Sequence, residues 1–485
     1  MGSVKSQTLN SAKWMAIDKF SNQGVNFLLG IILARLLSPE DFGVLGIITV
    51  VLAITSTFID SGFSSALIQK TNVTEKDCST VFFFNVVIAI TAYILIFFSA
   101  PLVSRFFKMD VLVSVLRVQS LNLIVNSFAA VQVTKLTIEL DFKAMAIRSF
   151  LASILSGVAA VFMAYVGMGV WALVGQTLLF SFFHLLFISI YIRWYPREGF
   201  SKKSFIELGG YGSKLLISSL LHTFSEQLTS LLIGRYYSAK DLGYFKRGSE
   251  FANMPVMAIN GVLNKITFPI MAKIQDDRER LVVVYRKYIK STSMVIFIFC
   301  LSLASLAKPV ILFLLGEKWI ESVVYLQIFG ISCMFNHISS INLNLLKVVG
   351  RSDLYLRLEI IKKTLSLSIL LISVSFGVLA ICVGMFFYNQ IAIVINTYYT
   401  GKLFGLSYWV QVKDFALYLI CAFLACFPAY MLSLSPLKPL LVIMTGVIMS
   451  FFIYWYLLRK DILMKEFMSL VTMQLQAVKR YIGKK

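Results

Sequence analysis

Polar residues are scarce in this chain, and those that interrupt its apolar stretches fall at helical spacing. Lys19, Asn22, Gln23 and Asn26 recur every three or four residues and would share one helix face. Ser56, Asp60 and Ser64 are spaced by four, and Ser219, His222 and Glu226 follow at three and four, again at helical spacing. Glu250, Asn253, Asn260, Asn264 and Lys265 form a further stripe, as do Asn336, His337, Ser340, Asn344 and Lys347. The chemistry open to such stripes is charge and hydrogen bonding. Asp60, His222, Glu226 and Glu250 are assigned to ion binding, with H+ or Na+ as the ion, because their protonation can change with surroundings. The six cysteines, Cys78, Cys300, Cys333, Cys382, Cys421 and Cys426, show no CxxC or CxxH spacing, so they are read as small hydrophobes and no metal site or cofactor is expected.

The elements that carry these stripes follow from composition. The 485 residues are 58% hydrophobic and 14% charged, with a mean hydropathy of +0.81, values that a water-exposed surface of this size does not tolerate. Apolar runs such as "VFFFNVVIAITAYILIFFSAP" from Val81 match the roughly 20 residues that cross a bilayer as a helix. Backbone amides in lipid must be satisfied within their own segment, so the fold class is an all-α polytopic membrane protein. About fourteen spans are counted at this length. They lie at 14–35, 42–62, 79–101, 111–137, 144–166, 169–192, 210–234, 243–268, 288–308, 320–348, 358–380, 381–404, 413–433 and 438–458. An ionised side chain at the bilayer centre costs about 2.5–3.5 kcal/mol, so each polar stripe should face a cavity or a partner.

The opening "KSQTLNSAKWMAIDKFSNQ" predicts no cleavable signal peptide. An even span count puts both termini on one side, where "RWYPREGFSKK", Arg278, Arg280, Arg286, Lys287, Lys290 and "KVVGRSDLYLR" also fall. The opposite loops hold fewer Lys and Arg, so both termini are expected in the cytoplasm. The net charge of +21 is therefore a topology signal rather than a nucleic-acid footprint, which would need a soluble basic face with stacking aromatics. Arg278, Arg280, Arg286 and Lys287 also suit anionic lipid headgroups. The tail from Asp461 sets Leu463, Phe467, Leu470, Val478 and Ile482 near one face beside Lys465, Lys479 and Arg480, and is expected to lie along the membrane surface.

One pattern recurs across the chain. "RLLSPEDFG" at Arg35 returns as "RYYSAKDLG" at Arg235. Ser38 can cap the following helix, Pro39 suits its first position, and Asp41 completes a capping pair; Ser238 and Asp241 can do the same. Gly43 and Gly243 permit close helix approach, and Arg35 and Arg235 mark helix ends from which long side chains snorkel. At the same offset Lys19, Asn22, Gln23 and Asn26 match Ser219, His222, Thr223 and Glu226, while Asp60 and Ser64 match Asn260 and Asn264. This reads as two pseudo-twofold-related six-helix lobes plus two C-terminal helices: residues 1–200, 201–405 and 406–458, then a basic amphipathic tail at 459–485.

"ARLLSPEDFGVLG", "LDFKAMA" from Leu140, "GMGVWALVGQ" from Gly167 and "LLKVVGRSDL" from Leu345 together resemble the polysaccharide transport family of the multidrug/oligosaccharidyl-lipid/polysaccharide exporter superfamily. The likeness is to Wzx-type flippases and to colanic-acid and teichuronic-acid exporters, and it spans essentially the whole chain. It implies a V-shaped pair of lobes in a bacterial cytoplasmic (inner) membrane. The cargo it implies is an undecaprenyl-diphosphate-linked oligosaccharide, moved to the outer leaflet by alternating access under an ion gradient or membrane potential, beside a polysaccharide polymerase or export machinery. For such a headgroup Lys19 and Lys265, with Arg117 and Lys347, are the candidate phosphate ligands, and Asn22, Gln23, Asn26, Asn260 and Asn264 the candidate sugar contacts. Related lipid II flippases carry arginines in the first-span cavity where this chain has Lys19, so these positions rest on helix faces. A multidrug antiporter of the same superfamily would favour aromatic and acidic linings. An enzyme of glycan assembly would need a large catalytic loop, paired carboxylates or a DxD motif, and this chain has only short loops and no DxD, with "QDDRER" at Gln275 read as a solvated charge run.

Overall fold

The computed structural model describes residues 2–60, 62–469 and 472–473. It is all-helical, with 87% helix and no strand among the described residues. The first compact unit runs to Gly243. It holds α1 (Gly2–Leu36), α2 (Pro39–Asp60), α3 (Phe63–Gln69), α4 (Glu75–Phe107), α5 (Val111–Gln119), α6 (Leu121–Ile138), α7 (Phe142–Tyr165), α8 (Val170–Ile192) and α9 (Lys202–Tyr236), and the first turn of α10 (Ala239–Ala272). The second unit, from Tyr244, holds the rest of α10 and then α11 (Arg278–Ser305), α12 (Ala307–Leu314), α13 (Ser322–Cys333), α14 (Asn336–Val348), α15 (Ser352–Ser373), α16 (Val378–Phe404), α17 (Tyr408–Ser433) and α18 (Pro439–Leu458).

Among the described residues ten helical segments are long and apolar enough to cross a membrane, including α5 with α6 and α13 with α14 as single segments. This is a multi-pass membrane protein. Four further long helices fall outside that ten: α1 and α9 at 35 residues each, α10 at 34 and α15 at 22. They fall short because α1, α9 and α10 carry the polar stripes and α15 carries Arg357, Glu359, Lys362 and Lys363.

Local chemistry sets the helix starts. Thr74 and Asp77 form a reciprocal capping box on α4, Asp141 accepts from the Ala144 amide on α7, and Asp277 accepts from the Arg280 amide on α11. Gly62, at φ 75°, turns the chain between α2 and α3. A Cβ on Gly62 would stand 2.7 Å from the Gly212 carbonyl oxygen, so this turn can press against α9 only because it lacks a side chain. Phe63, Leu67, Cys78, Val81, Val131 and Leu208 then bury one apolar cluster where α3, α4, α6 and α9 meet. Thus α9 packs on α2, α3 and α4 inside the first unit, although it heads the second sequence repeat.

In the second unit α11 packs on α13, α14 and α17, and α17 packs on α18. His337 is fully buried; its ring nitrogens reach Ser293 Oγ and the Met334 carbonyl, both at 2.8 Å, and its ring lies against Phe297. These contacts hold it within the packed interior of the second unit. All six cysteines are buried and unbridged. A neutral network ties α14, α16 and α17 together: Asn342 donates to Gln411 Oε1 at 2.9 Å, Thr400 donates to Asn342 Oδ1 at 2.7 Å, and Gln411 donates to the Leu406 carbonyl at 2.8 Å. All three side chains are buried, so removing one strands the others. Gln411→Leu is expected to cost about 1–3 kcal/mol, seen as a lower thermal unfolding midpoint in micelles. An unchanged midpoint would show that the network carries no stability.

Candidate functional site

The recurrent hairpins come first because the structure brings them together. Ser38 Oγ donates to Asp41 Oδ2 at 2.7 Å while the Asp41 amide donates back to Ser38 Oγ at 3.2 Å. Ser238 and Asp241 repeat this at 2.6 and 3.1 Å. The two capped helix starts then meet glycine to backbone. A Cβ on Gly43 would overlap the Ala239 carbonyl, and one on Gly243 would overlap the Pro39 carbonyl. The contact is reciprocal, as two copies of one motif related by a pseudo-twofold would make it.

Residues of α2, α3, α6 and α8 line a crevice of about 430 Å³ in the first unit. Ser56, Ser64, Asn126, Thr134, Thr137 and His184 supply its polar groups. Ser56, Thr134 and Thr137 spend their hydroxyl protons on backbone carbonyls of their own helices, which leaves oxygen lone pairs toward the crevice. His184 stacks on Phe180 at 5.6 Å, and its position one helix away from Ser56 gave no signal in the sequence spacing. Thr57 and Thr223 share a hydrogen bond at 3.1 Å, which joins α2 to α9.

The remaining candidate residues divide by what holds them. Asn22 donates to Ser149 Oγ at 2.9 Å and accepts from Ser153 Oγ at 3.1 Å, so its amide ties α1 to α7. Gln23 is half-buried and Asn26 exposed. The side chains of Lys19, Asp60, Asn260, Asn264 and Lys265 lie outside the described residues. His222 and Glu226 are exposed on α9, and neither joins an ion pair among the described residues. Glu250 pairs with Arg247 at 3.0 Å, so its charge already has a partner. Arg117 Nε donates to the Phe97 carbonyl at 3.1 Å and its guanidinium lies 4.3 Å from the Phe97 ring, which commits it to α4. Lys347 is exposed, with its ammonium 4.6 Å from the Tyr355 ring.

Two charged clusters went unread in the sequence. Lys70, after α3, reaches Asp77 at 3.0 Å and Glu207 at 3.1 Å, which pins the α3–α4 turn to the start of α9. Burial pulls the Lys70 ammonium down, but its hydrogen bonds and charge attraction to Asp77 and Glu207 outweigh this and hold it above the ordinary lysine value. In the second unit, Arg286 grips Asp414 through two hydrogen bonds at 2.8 and 2.7 Å, with Lys290 at 3.3 Å. The capping pattern Thr74-x-x-Asp77 was a legible sign of the first cluster. Nothing short-range marks the second, whose partners stand 128 residues apart. Among the described residues, no group of three or more His, Cys, Asp or Glu is placed to hold a metal ion.

Residues 32–324 match the profile of a family described as "Polysaccharide biosynthesis protein". The teichuronic acid biosynthesis protein TuaB of Bacillus subtilis (strain 168) is 25% identical over 73% of this chain and 74% of its own length. The lipopolysaccharide biosynthesis protein WzxC of Escherichia coli (strain K12) is 24% identical over 85% and 82%. A solved structure of the lipid II flippase MurJ in an inward closed conformation superposes with a TM-score of 0.72 at 15% identity, covering 93% of this chain and 99% of that one, which is a likeness of fold.

Proposed function

This chain belongs to the polysaccharide biosynthesis protein family, and on that premise we propose that it is a flippase for undecaprenyl-diphosphate-linked oligosaccharide repeat units. It carries them from the cytoplasmic to the outer leaflet of a bacterial cytoplasmic membrane by alternating access, for assembly of a surface polysaccharide. The observation that carries this reading is the family match across residues 32–324, on a fold like that of a lipid II flippase. The hydroxyl-, amide- and imidazole-lined crevice adds support, since saccharides are bound by neutral hydrogen-bonding groups at fields weak enough to permit release.

The ten apolar segments together with α1, α9, α10 and α15 make the proposed fourteen spans. The Lys/Arg bias supports a topology with both termini in the cytoplasm. Residues 1–200 and 201–405 are the proposed lobes, with α17 and α18 as additions. Coupling is assigned to an H+ or Na+ gradient or to the membrane potential, with Asp60, His222 and Glu226 as the exchanging groups. We read the chain as a transporter and not an enzyme, with the assembly machinery as its partner.

The test is the lipid-linked glycan pool after deletion of this protein from its native cell, with leaflet sidedness read by an impermeant glycan-modifying reagent. Complete repeat units should accumulate on the inner side. Truncated glycans, or complete units that still reach the outer leaflet, would overturn the reading. Asp60→Asn and Glu226→Gln should each lower export at matched protein levels, and unimpaired export in both would remove them from coupling.

A further inference from the structure

At the Lys/Arg-rich start of α11, Arg286, Lys287 and Lys290 stand along a crevice of ≈ 440 Å³ that is closed on its other sides by Tyr418 of α17 and by the tail segment, residues 462–469. The tail is seated by chemistry visible on both of its faces. Asp461 accepts from the Leu463 and Met464 amides at 2.9 and 3.3 Å and from Tyr418 Oη at 3.3 Å, and Glu466 pairs with Lys287 at 2.8 Å. Behind the same segment lies a second, apolar slot of ≈ 240 Å³, walled by Met294 and Ile298 of α11, Trp455 of α18, and Phe467 and Met468 of the tail. Tyr454 Oη donates to the Met294 carbonyl at 2.8 Å and Met464 is buried, so the walls of the slot are held in place.

The two spaces are ordered in depth. Met294 is one helical turn and Ile298 two turns beyond Lys290, so the slot begins about 6 Å inward of the cations and reaches a depth of about 12 Å at Ile298. The cations are more exposed than the carboxylate beneath them. Side chains of Arg286, Lys287 and Lys290 are 43%, 58% and 38% exposed, whereas Asp414 is 2% exposed and is shared between two of them. A row of cations at the membrane surface with an apolar slot directly behind it suits an amphiphile with an anionic head.

We propose that α11, α17, α18 and the tail segment form a binding site for an anionic phospholipid, with its phosphate over Lys287 and Lys290 and an acyl chain in the slot. One phosphate offers several acceptors to the ammonium groups and loosens the Lys287–Glu466 pair without uncovering Asp414. The site thereby couples the seating of the tail to the charge of the surrounding leaflet.

The experiment uses the full chain purified in neutral detergent, titrated separately with phosphatidylglycerol, phosphatidylcholine, inorganic phosphate and a polyprenyl diphosphate. Binding is read by native mass spectrometry and by thermal unfolding. Phosphatidylglycerol should bind and stabilise, and phosphatidylcholine and phosphate should not. A lysine near a membrane surface is worth about fivefold in affinity, so Lys287→Gln with Lys290→Gln should weaken phosphatidylglycerol binding about thirtyfold. Phe467→Ala should weaken it with both lysines intact. Equal binding of the two phospholipids, or undiminished binding by the double lysine variant, would overturn the proposal. Equal stabilisation by inorganic phosphate would reduce the site to a simple anion site, and displacement of phosphatidylglycerol by lower concentrations of polyprenyl diphosphate would reassign it to the cargo.

Discussion

Gly43→Ala and Gly243→Ala are each expected to abolish most export while Gly210→Ala leaves it intact. A methyl group at either hairpin glycine overlaps a backbone carbonyl of the opposite hairpin, Ala239 in one case and Pro39 in the other. A backbone carbonyl cannot rotate aside as a side-chain tip can, so the two helix starts must separate. Overpacking of this kind costs about 1–3 kcal/mol. A cost of that size shifts the balance between two conformations by about 5–150-fold. Gly210 lies in helix α9 with nothing within 4 Å of an added Cβ, and alanine there gains helix propensity. The readout is surface polysaccharide in a deletion strain carrying each variant at matched membrane levels. Wild-type export from both Gly43→Ala and Gly243→Ala would show that the hairpin contact plays no part in transport.

The second large effect concerns stability. Arg286→Met should destabilise the protein by about 2 kcal/mol, below the roughly 3–5 kcal/mol of a fully buried pair, because Arg286 is partly exposed and Lys290 remains. The carboxylate it abandons is 2% exposed, too deep for water to replace two charged hydrogen bonds. Arg286→Met combined with Asp414→Leu should recover most of the loss, since a buried ion pair is seldom better than an apolar pair of similar size. Thermal unfolding of the single and double variants decides it. A double variant no better than the single would mean that the site cannot repack and that the loss reflects shape more than stranded charge.

These two expectations draw on different levels of information. The hairpin glycines could be found by eye, because capping and close approach are local rules that act within four residues, and because duplication printed the same rule twice. Helical period alone predicts the polar stripes, but Ser64 does not continue the α2 stripe of Ser56, because the chain turns at Gly62 and Ser64 lies on α3. What each stripe touches was not readable. Asn22 shares its stripe with Lys19 and Asn26, yet its amide is committed to Ser149 and Ser153 of α7. Arg117 and Glu250 were cationic and anionic candidates by type, and each proves to be held by a neighbour, Phe97 and Arg247. His184, which lines the crevice with Ser56 and Ser64, stood alone in an apolar run. Side-chain period reports direction around one helix, but the partner in that direction depends on which other helix arrives there.

By itself, then, the sequence determined that this is a helical membrane protein, where α2 and α10 begin, and which family it resembles. Each of these follows from short-range physics: the cost of unsatisfied amides in lipid, the length needed to cross it, and the caps and glycines that start and bend a helix. Only the tertiary structure decided that α9 packs against α2, α3 and α4, that Arg286 meets Asp414, and that the tail closes a cationic crevice in front of an apolar slot. In lipid the apolar faces of such helices are nearly interchangeable, so the choice of neighbours falls to a few small residues and polar pairs far apart in the chain.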